Sequence, residues 1–248
     1  MKTPLSAFAN RLNKRTGYLA EQFPPADTLE PERRQRLDEE ISRIVGHTRL
    51  QFIPVGKGGI FLKLETDNPS ETHYDRVYPY LIRSLERRGI IVPGVTEELY
   101  DSSSGSAGPS MNCFAKTYGY RPFNVLPQGL PPARINAHEE TASGIIVSRY
   151  QNYLEGMIQT VRELLEDVTM QEKLRSKKAV FLNHSRRKET PEAFRAIGKE
   201  VIDQLPNGVE LDTWICAMGN GTHIRGISEE SLLRSKNEHE MTEFVHPG

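Results

Sequence analysis

Three stretches carry residue types that could grip or transform a small molecule. The first is NPSETHYDR, residues 68–76. Its Asn68 and Thr72 offer hydrogen-bonding groups. Its His73 and Tyr74 put an imidazole beside a phenol, two groups that donate, accept or move protons. The second is SSSGSAG, residues 102–108. The third is GNGTH, residues 219–223. Both of these small-residue loops follow strand-like runs. Each can turn backbone N–H groups toward an anion, helped by the helix N-terminus that follows.

Other reactive residues read as structural. His138-Glu139-Glu140 and His239-Glu240 lack a second histidine four residues on, so they read as polar helix surface and no metal site is expected. Cys113 and Cys216 lie far apart, each in an apolar run, and read as packing residues rather than a disulfide. Ser104 is not framed as Gly-x-Ser-x-Gly, which argues against a hydrolase elbow there.

The elements that must position these stretches follow from periodicity. PERRQRLDEEISRIV carries Leu37, Ile41, Ile44 and Val45 at helical spacing, with Pro31 at its start. RLQFIPV and GIFLKLE read as a hairpin turned by Gly-Lys-Gly-Gly. RVYPYLIRSLERRG places Val77, Leu81 and Leu85 on one helical face, and Gly89 stops it. From about residue 90, strand and helix alternate: VTEELYD, PSMNCFAKTYG, FNVLP, PARINAHEETA, GIIVS, a long helix over 152–168, AVFL, PEAFRAIGKEVIDQL, LDTWICAM, a helix near 228–236, and TEFV. The long helix has an apolar face of Leu154, Met157, Ile158, Val161, Leu164, Leu165 and Val168. LDTWICAM reads as a buried strand. This alternation predicts an α/β fold with mainly parallel sheets, in which ligands sit beyond the C-terminal ends of the strands.

Composition narrows the partners. The 248 residues carry a net charge of −1, and the basic clusters Arg33-Arg34, Lys177-Lys178 and Arg186-Arg187-Lys188 are separated by acids. That pattern is not a polyanion surface, so no nucleic-acid partner is expected. No apolar run approaches membrane-spanning length, and the N-terminal stretch lacks the apolar core of a signal peptide. A soluble, cytoplasmic protein is the expectation.

Taken in order, GHTRL, KLETDNPSETHYDR, the RRGIIVPG helix exit, SSSGSAG, KTYGYRPFNVLP and GNGTHIRG resemble the cysteine synthase branch of the pyridoxal-phosphate (PLP) enzymes. That fold-type II family also includes the tryptophan synthase β-subunit. The resemblance covers about residues 44–248. It implies a two-lobed, three-layer α/β fold, shortened at its C-terminal end. Residues 1–40 would form an arm and helix, residues 66–150 the smaller lobe, and residues 41–65 with 151–248 the larger lobe. A homodimer is implied by the resemblance alone.

The resemblance also locates departures. The family's Ser-x-Lys-Asp-Arg pattern falls on Thr72, His73, Tyr74, Asp75 and Arg76. Tyr74 thus stands where the family has the lysine that forms the Schiff base. The family's Thr-Ser-Gly-Asn-Thr-Gly loop grips the substrate carboxylate, and its Asn contacts the cofactor ring. It falls on Ser103, Ser104, Gly105, Ser106, Ala107 and Gly108, with Ser106 in place of that Asn. The phosphate cup, Gly-Thr-Gly-Gly-Thr, falls on Gly219, Asn220, Gly221, Thr222 and His223. The residue facing the pyridine nitrogen lies beyond the family's counterpart of TEFVHPG, outside these residues.

These departures imply a cleft without covalently attached PLP, while non-covalent PLP stays compatible with the loops. The cleft would hold a small carboxylate or phosphate, or the groove would dock a partner protein. Tyr74 either fills the cofactor space or contacts ligand, with His73 beside it. One alternative is a PLP-independent enzyme of addition, elimination or cyclisation, with Tyr74 as acid or base. Another is conventional PLP-dependent β-replacement through a different lysine, such as Lys57 or Lys63.

Overall fold

The computed structural model describes residues 31–237; the N-terminal arm and the TEFV strand expected from the sequence lie outside the described residues. Among the described residues, eight helices and six strands follow in this order: α1 (Pro31–Ile44), β1 (Leu50–Val55), β2 (Gly58–Lys63), α2 (Val77–Arg87), β3 (Glu98–Ser102), α3 (Ala107–Thr117), β4 (Arg121–Leu126), α4 (Pro132–Glu139), β5 (Gly144–Val147), α5 (Tyr153–Glu166), α6 (Val168–Arg175), β6 (Ala179–Phe181), α7 (Glu189–Gln204) and α8 (Thr222–Asn237). Two short 3-10 turns, Glu65–Asp67 and His73–Arg76, precede α2.

Four strands form one parallel sheet in the order β5-β4-β3-β6, while β1 and β2 pair only with each other as an antiparallel hairpin. The helical crossovers between consecutive parallel strands dictate this arrangement. Alternation along the strands sorts side chains to two faces. Leu99, Val180 and Leu182 join a core with Leu37, Leu81, Leu85, Met111, Phe114, Phe194 and Ile227, from α1, α2, α3, α7 and α8. Tyr100, Phe123 and Ala179 face the other way, against Leu164, Met170 and Leu174 of α5 and α6. The result is the three-layer α/β architecture expected from the alternating pattern.

Several local expectations fail, among them His138, which is buried rather than on a polar helix surface. LDTWICAM is not a strand: residues 211–218 are irregular, with Ile215 90% and Met218 74% exposed. A strand needs a ladder partner, and neither the parallel sheet nor the hairpin extends to this run. Trp214 alone packs against the core, and Cys216 is exposed rather than packed. The long helix expected over 152–168 does form, as α5, and a further helix follows at once: the Asp167 side chain caps α6 by accepting from the Met170 N–H. The expected apolar face is only partly covered, since Leu154, Ile158 and Val168 are exposed while Met157 is buried.

Candidate functional site

The C-terminal edge of the sheet gathers the candidate residues. β3 ends at Ser102 and opens the loop Ser103–Gly108, which becomes α3. Ser103 Oγ accepts from the N–H groups of Gly105 (3.2 Å) and Gly108 (2.9 Å), so the loop closes around its own hydroxyl. Arg134 donates to the Ser104 carbonyl at 3.1 Å. Ser104 and Gly105 are half-buried, Ser106 is exposed, and Ala107 begins the buried helix. Gly108 must be glycine: a Cβ there would lie 2.0 Å from the His138 ring and 2.7 Å from Asn124 Oδ1.

The turn carrying Tyr74 is clamped from both sides. Thr72 Oγ1 accepts the Tyr74 N–H at 3.3 Å and donates to Ser106 Oγ at 3.1 Å, joining this loop to Ser103–Gly108. Asp75 is fully buried and accepts from Ser110 Oγ at 2.6 Å and from the Ser70 N–H. Arg76 reaches Glu65 and Glu200 at 2.7 and 2.6 Å. Asn68 is engaged in holding this loop: its Oδ1 accepts from Gly46 N–H at 2.8 Å, and its amide donates to Glu65.

Between these anchors Tyr74 projects as a half-buried ring. His73 lies 4.3 Å from it, centroid to centroid, and His184 meets it edge-on at 5.4 Å. Burial, helped by the Asp101 carboxylate, raises the Tyr74 phenol, so it stays a hydrogen-bond donor at neutral pH. His73 also lies 5.5 Å from His223, at the start of α8. All three stretches singled out in the sequence therefore converge through Thr72–Ser106 and His73–His223. In the third stretch, Asn220 Oδ1 accepts from Thr222 N–H (3.1 Å) and Oγ1 (2.7 Å), and Gly221 takes a positive φ of 76°. Gly219 is exposed.

Two residues at this edge escape sequence reasoning. Asp101, on β3, and His184, three residues past β6, are both buried, and His184 Nδ1 lies 2.8 Å from Asp101 Oδ2. Tyr78 donates to the same oxygen at 3.2 Å. The signal was available: both residues lie at the C-terminal ends of strands, where ligands bind in such sheets. A separate groove of about 800 Å³ lies between α1, α2 and α7. Its walls combine apolar side chains such as Ile41, Val45 and Ala193 with ion pairs such as Asp38–Arg83, and none of the Tyr74, Ser103–Gly108 or Gly219–His223 groups lines it. Among the described residues, no cluster of three His, Cys, Asp or Glu is arranged for a metal, and no helix is long and apolar enough to cross a membrane.

Burial makes the site acid-sensitive. His73 is held down to about 4, by burial first and by His223 second; His138 is also held to about 4 by burial. Their unfolded forms take up protons below about 6.5, so stability falls as pH drops from there toward 4. Asp75 runs the other way: burial raises it to about 6, so the fold gains stability from pH 6 down to the ordinary carboxylate range. Two histidines outweigh one carboxyl. The urea midpoint at pH 5 is expected to fall below that at pH 7.5 by the equivalent of roughly 2–3 kcal/mol. An unchanged or higher midpoint at pH 5 would contradict it.

Residues 41–239 match the protein family described as "Pyridoxal-phosphate dependent enzyme". The chain belongs to this family. It is 25% identical over 195 residues to cysteine synthase A of Escherichia coli strain K12, covering 78% of this chain and 57% of that protein. It is 26% identical over 219 residues to a putative cysteine synthase of Sinorhizobium fredii, covering 85% and 61%. The chain thus spans roughly 60% of the length of these relatives. Cysteine synthase from Entamoeba histolytica superposes with a TM-score of 0.66 at 22% identity, covering 79% of this chain and 57% of that one. A hydrogen sulfide-producing enzyme from Fusobacterium nucleatum gives 0.70 at 19%, covering 82% and 60%. These likenesses establish a cysteine synthase-like fold.

Proposed function

We propose that this chain is a cysteine synthase-like protein that works without covalently attached PLP and holds a small carboxylate or phosphate ligand. The cleft in this reading lies between a smaller lobe (66–150) and a larger one (41–65 and 151–248). The observation that carries it is Tyr74. A phenol has no amine to join a cofactor aldehyde, and its ring neighbours are His73, His184 and Phe194. Lys63, the nearest lysine in sequence on the preceding strand, is engaged with Glu200 at 2.7 Å and the Thr48 carbonyl at 2.6 Å. The side chains around Tyr74 therefore do not fit covalent attachment. In this reading Tyr74 and Thr72 contact the ligand, the Ser103–Gly108 loop receives its carboxylate, and the chain is a homodimer.

The second reading follows from the relatives' names: a PLP-dependent β-replacement enzyme that uses another lysine. Incubation with equimolar PLP, borohydride reduction and peptide mass spectrometry separate the two. The native protein is expected to remain without a stoichiometric pyridoxyl-lysine, while Tyr74→Lys acquires one at position 74. A stoichiometric adduct on Lys63 or any other lysine of the native protein would overturn the proposal in favour of β-replacement.

A further inference from the structure

The Asp101–His184 pair extends to a third residue. His184 Nε2 lies 3.3 Å from Ser185 Oγ, and Ser185 is exposed while Asp101 and His184 are buried. The protonation pattern follows from the partners. Asp101 Oδ2 accepts from the His184 N–H at 3.3 Å and from Tyr78 at 3.2 Å, and Oδ1 accepts from the Ser102 N–H at 2.8 Å. A carboxylate so surrounded by donors is an acceptor, so the Nδ1 facing it at 2.8 Å carries the hydrogen. The Tyr78 hydroxyl also lies 3.2 Å from Nδ1. With Nδ1 taken up on this side, Nε2 is the ring nitrogen left to face Ser185 Oγ, at 3.3 Å.

The backbone around the base is held. Thr190 Oγ1 donates to the His184 carbonyl at 2.5 Å, and Arg187 donates to the Leu182 carbonyl at 2.9 Å. Nucleophile, base and orienting carboxylate are thus ordered from solvent inward, at the C-terminal edge of a parallel sheet.

We propose that Ser185 is an activated nucleophile toward carboxylic esters, with His184 its base and Asp101 the residue that positions His184. Ser185 Oγ bonds to the ester carbon as its proton passes to His184 Nε2. The C–O bond then breaks, and the departing alcohol takes that proton. Water releases the acyl group from Ser185 by the reverse transfers. The inference stands apart from the cofactor question, because it uses neither Tyr74 nor the phosphate-cup loop.

A fluorophosphonate tests it on the purified full chain. The Oγ–P bond forms, the P–F bond breaks and fluoride leaves. Peptide mass spectrometry is expected to find the adduct on Ser185. Ser185→Ala, an exposed change, should abolish it. His184→Gln and Asp101→Asn should slow labelling about 100-fold or more, with circular dichroism verifying the fold. The groups facing His184 are Asp101 from β3, Tyr78 from α2, His73 and Tyr74 from their turn and Ser185 from its own loop. Asp101→Asn should therefore alter the pH profile of labelling, a change that a merely structural role would not produce. Absence of an adduct at Ser185, labelling unaffected by His184→Gln in a folded variant, or a pH profile unchanged by Asp101→Asn would each overturn the proposal.

Discussion

Arg76→Ala is expected to destabilise the fold by about 3–5 kcal/mol. The Arg76 side chain is 4% exposed and bridges two acids from distant parts of the chain. Its Nε and Nη2 contact Glu65 at 2.7 and 2.8 Å, its Nη1 and Nη2 contact Glu200 at 2.6 and 2.9 Å, and Nη2 meets Thr48 Oγ1 at 3.2 Å. Glu65 precedes the Tyr74 turn and Glu200 lies on α7, so one guanidinium ties the turn to the helical layer. The contacts with Arg76 and Lys63 hold Glu200 down to about 2 despite its burial. Removing Arg76 leaves two partly buried carboxylates facing each other with Lys63 the remaining cation against Glu200.

The loss would be about a fifth or more of a typical domain's stability of roughly 5–15 kcal/mol. Arg76→Lys should recover only part, because an ammonium cannot fork between two carboxylates. Urea unfolding measures both. Arg49→Ala serves as the contrast: that pair with Asp67 is on the surface, with Arg49 72% exposed, and should leave the urea midpoint nearly unchanged. A similarly small effect at Arg76 would show that the network does not hold the turn.

Gly226→Ala has the second-largest expected effect, and its sign runs against helix propensity. In an isolated helix, alanine in place of glycine gains about 1 kcal/mol. Here α8 crosses α7 so closely that a Cβ on Gly226 would lie 2.1 Å from the Pro191 carbonyl oxygen and 2.9 Å from Phe194 Cβ. Neither atom is the end of a flexible side chain. The helices must separate, and the overpacking should cost a net of about 2–3 kcal/mol. Because His223 lies on the first turn of α8, separation also loosens its contact with His73. Thermal unfolding decides the sign. A rise in midpoint, as propensity alone would give, would mean that the two helices are not locked at this crossing. Gly198→Ala should be milder, since its Cβ would come within 3.0 Å of the Ile227 carbonyl.

Several elements were legible because their signals are local. The stripe Val77, Leu81 and Leu85 is buried as its spacing requires. The Gly-Lys-Gly-Gly turn does close β1 onto β2. The two small-residue loops do precede helices, α3 and α8. LDTWICAM was misread for the complementary reason. Its composition matches a buried strand, yet strand formation depends on a neighbouring ladder that no local pattern encodes. The exposed Leu154 and Ile158 teach the same lesson for helices: amphipathicity announces a face, and the tertiary arrangement decides whether anything covers it.

By itself, then, the sequence determined the α/β alternation, the family resemblance and the position of Tyr74 between Thr72 and Arg76. These depend on residue identity and on short-range spacing. Only the tertiary structure decided that Asp101 and His184, 83 positions apart, meet at 2.8 Å beside Tyr74 and Ser185. It also decided that Asn68 and Arg76 hold the turn. The reason is the parallel sheet. Pairing β3 with β6 brings two distant strand ends to one edge, and the side chains leaving that edge acquire neighbours that their own sequence context never names.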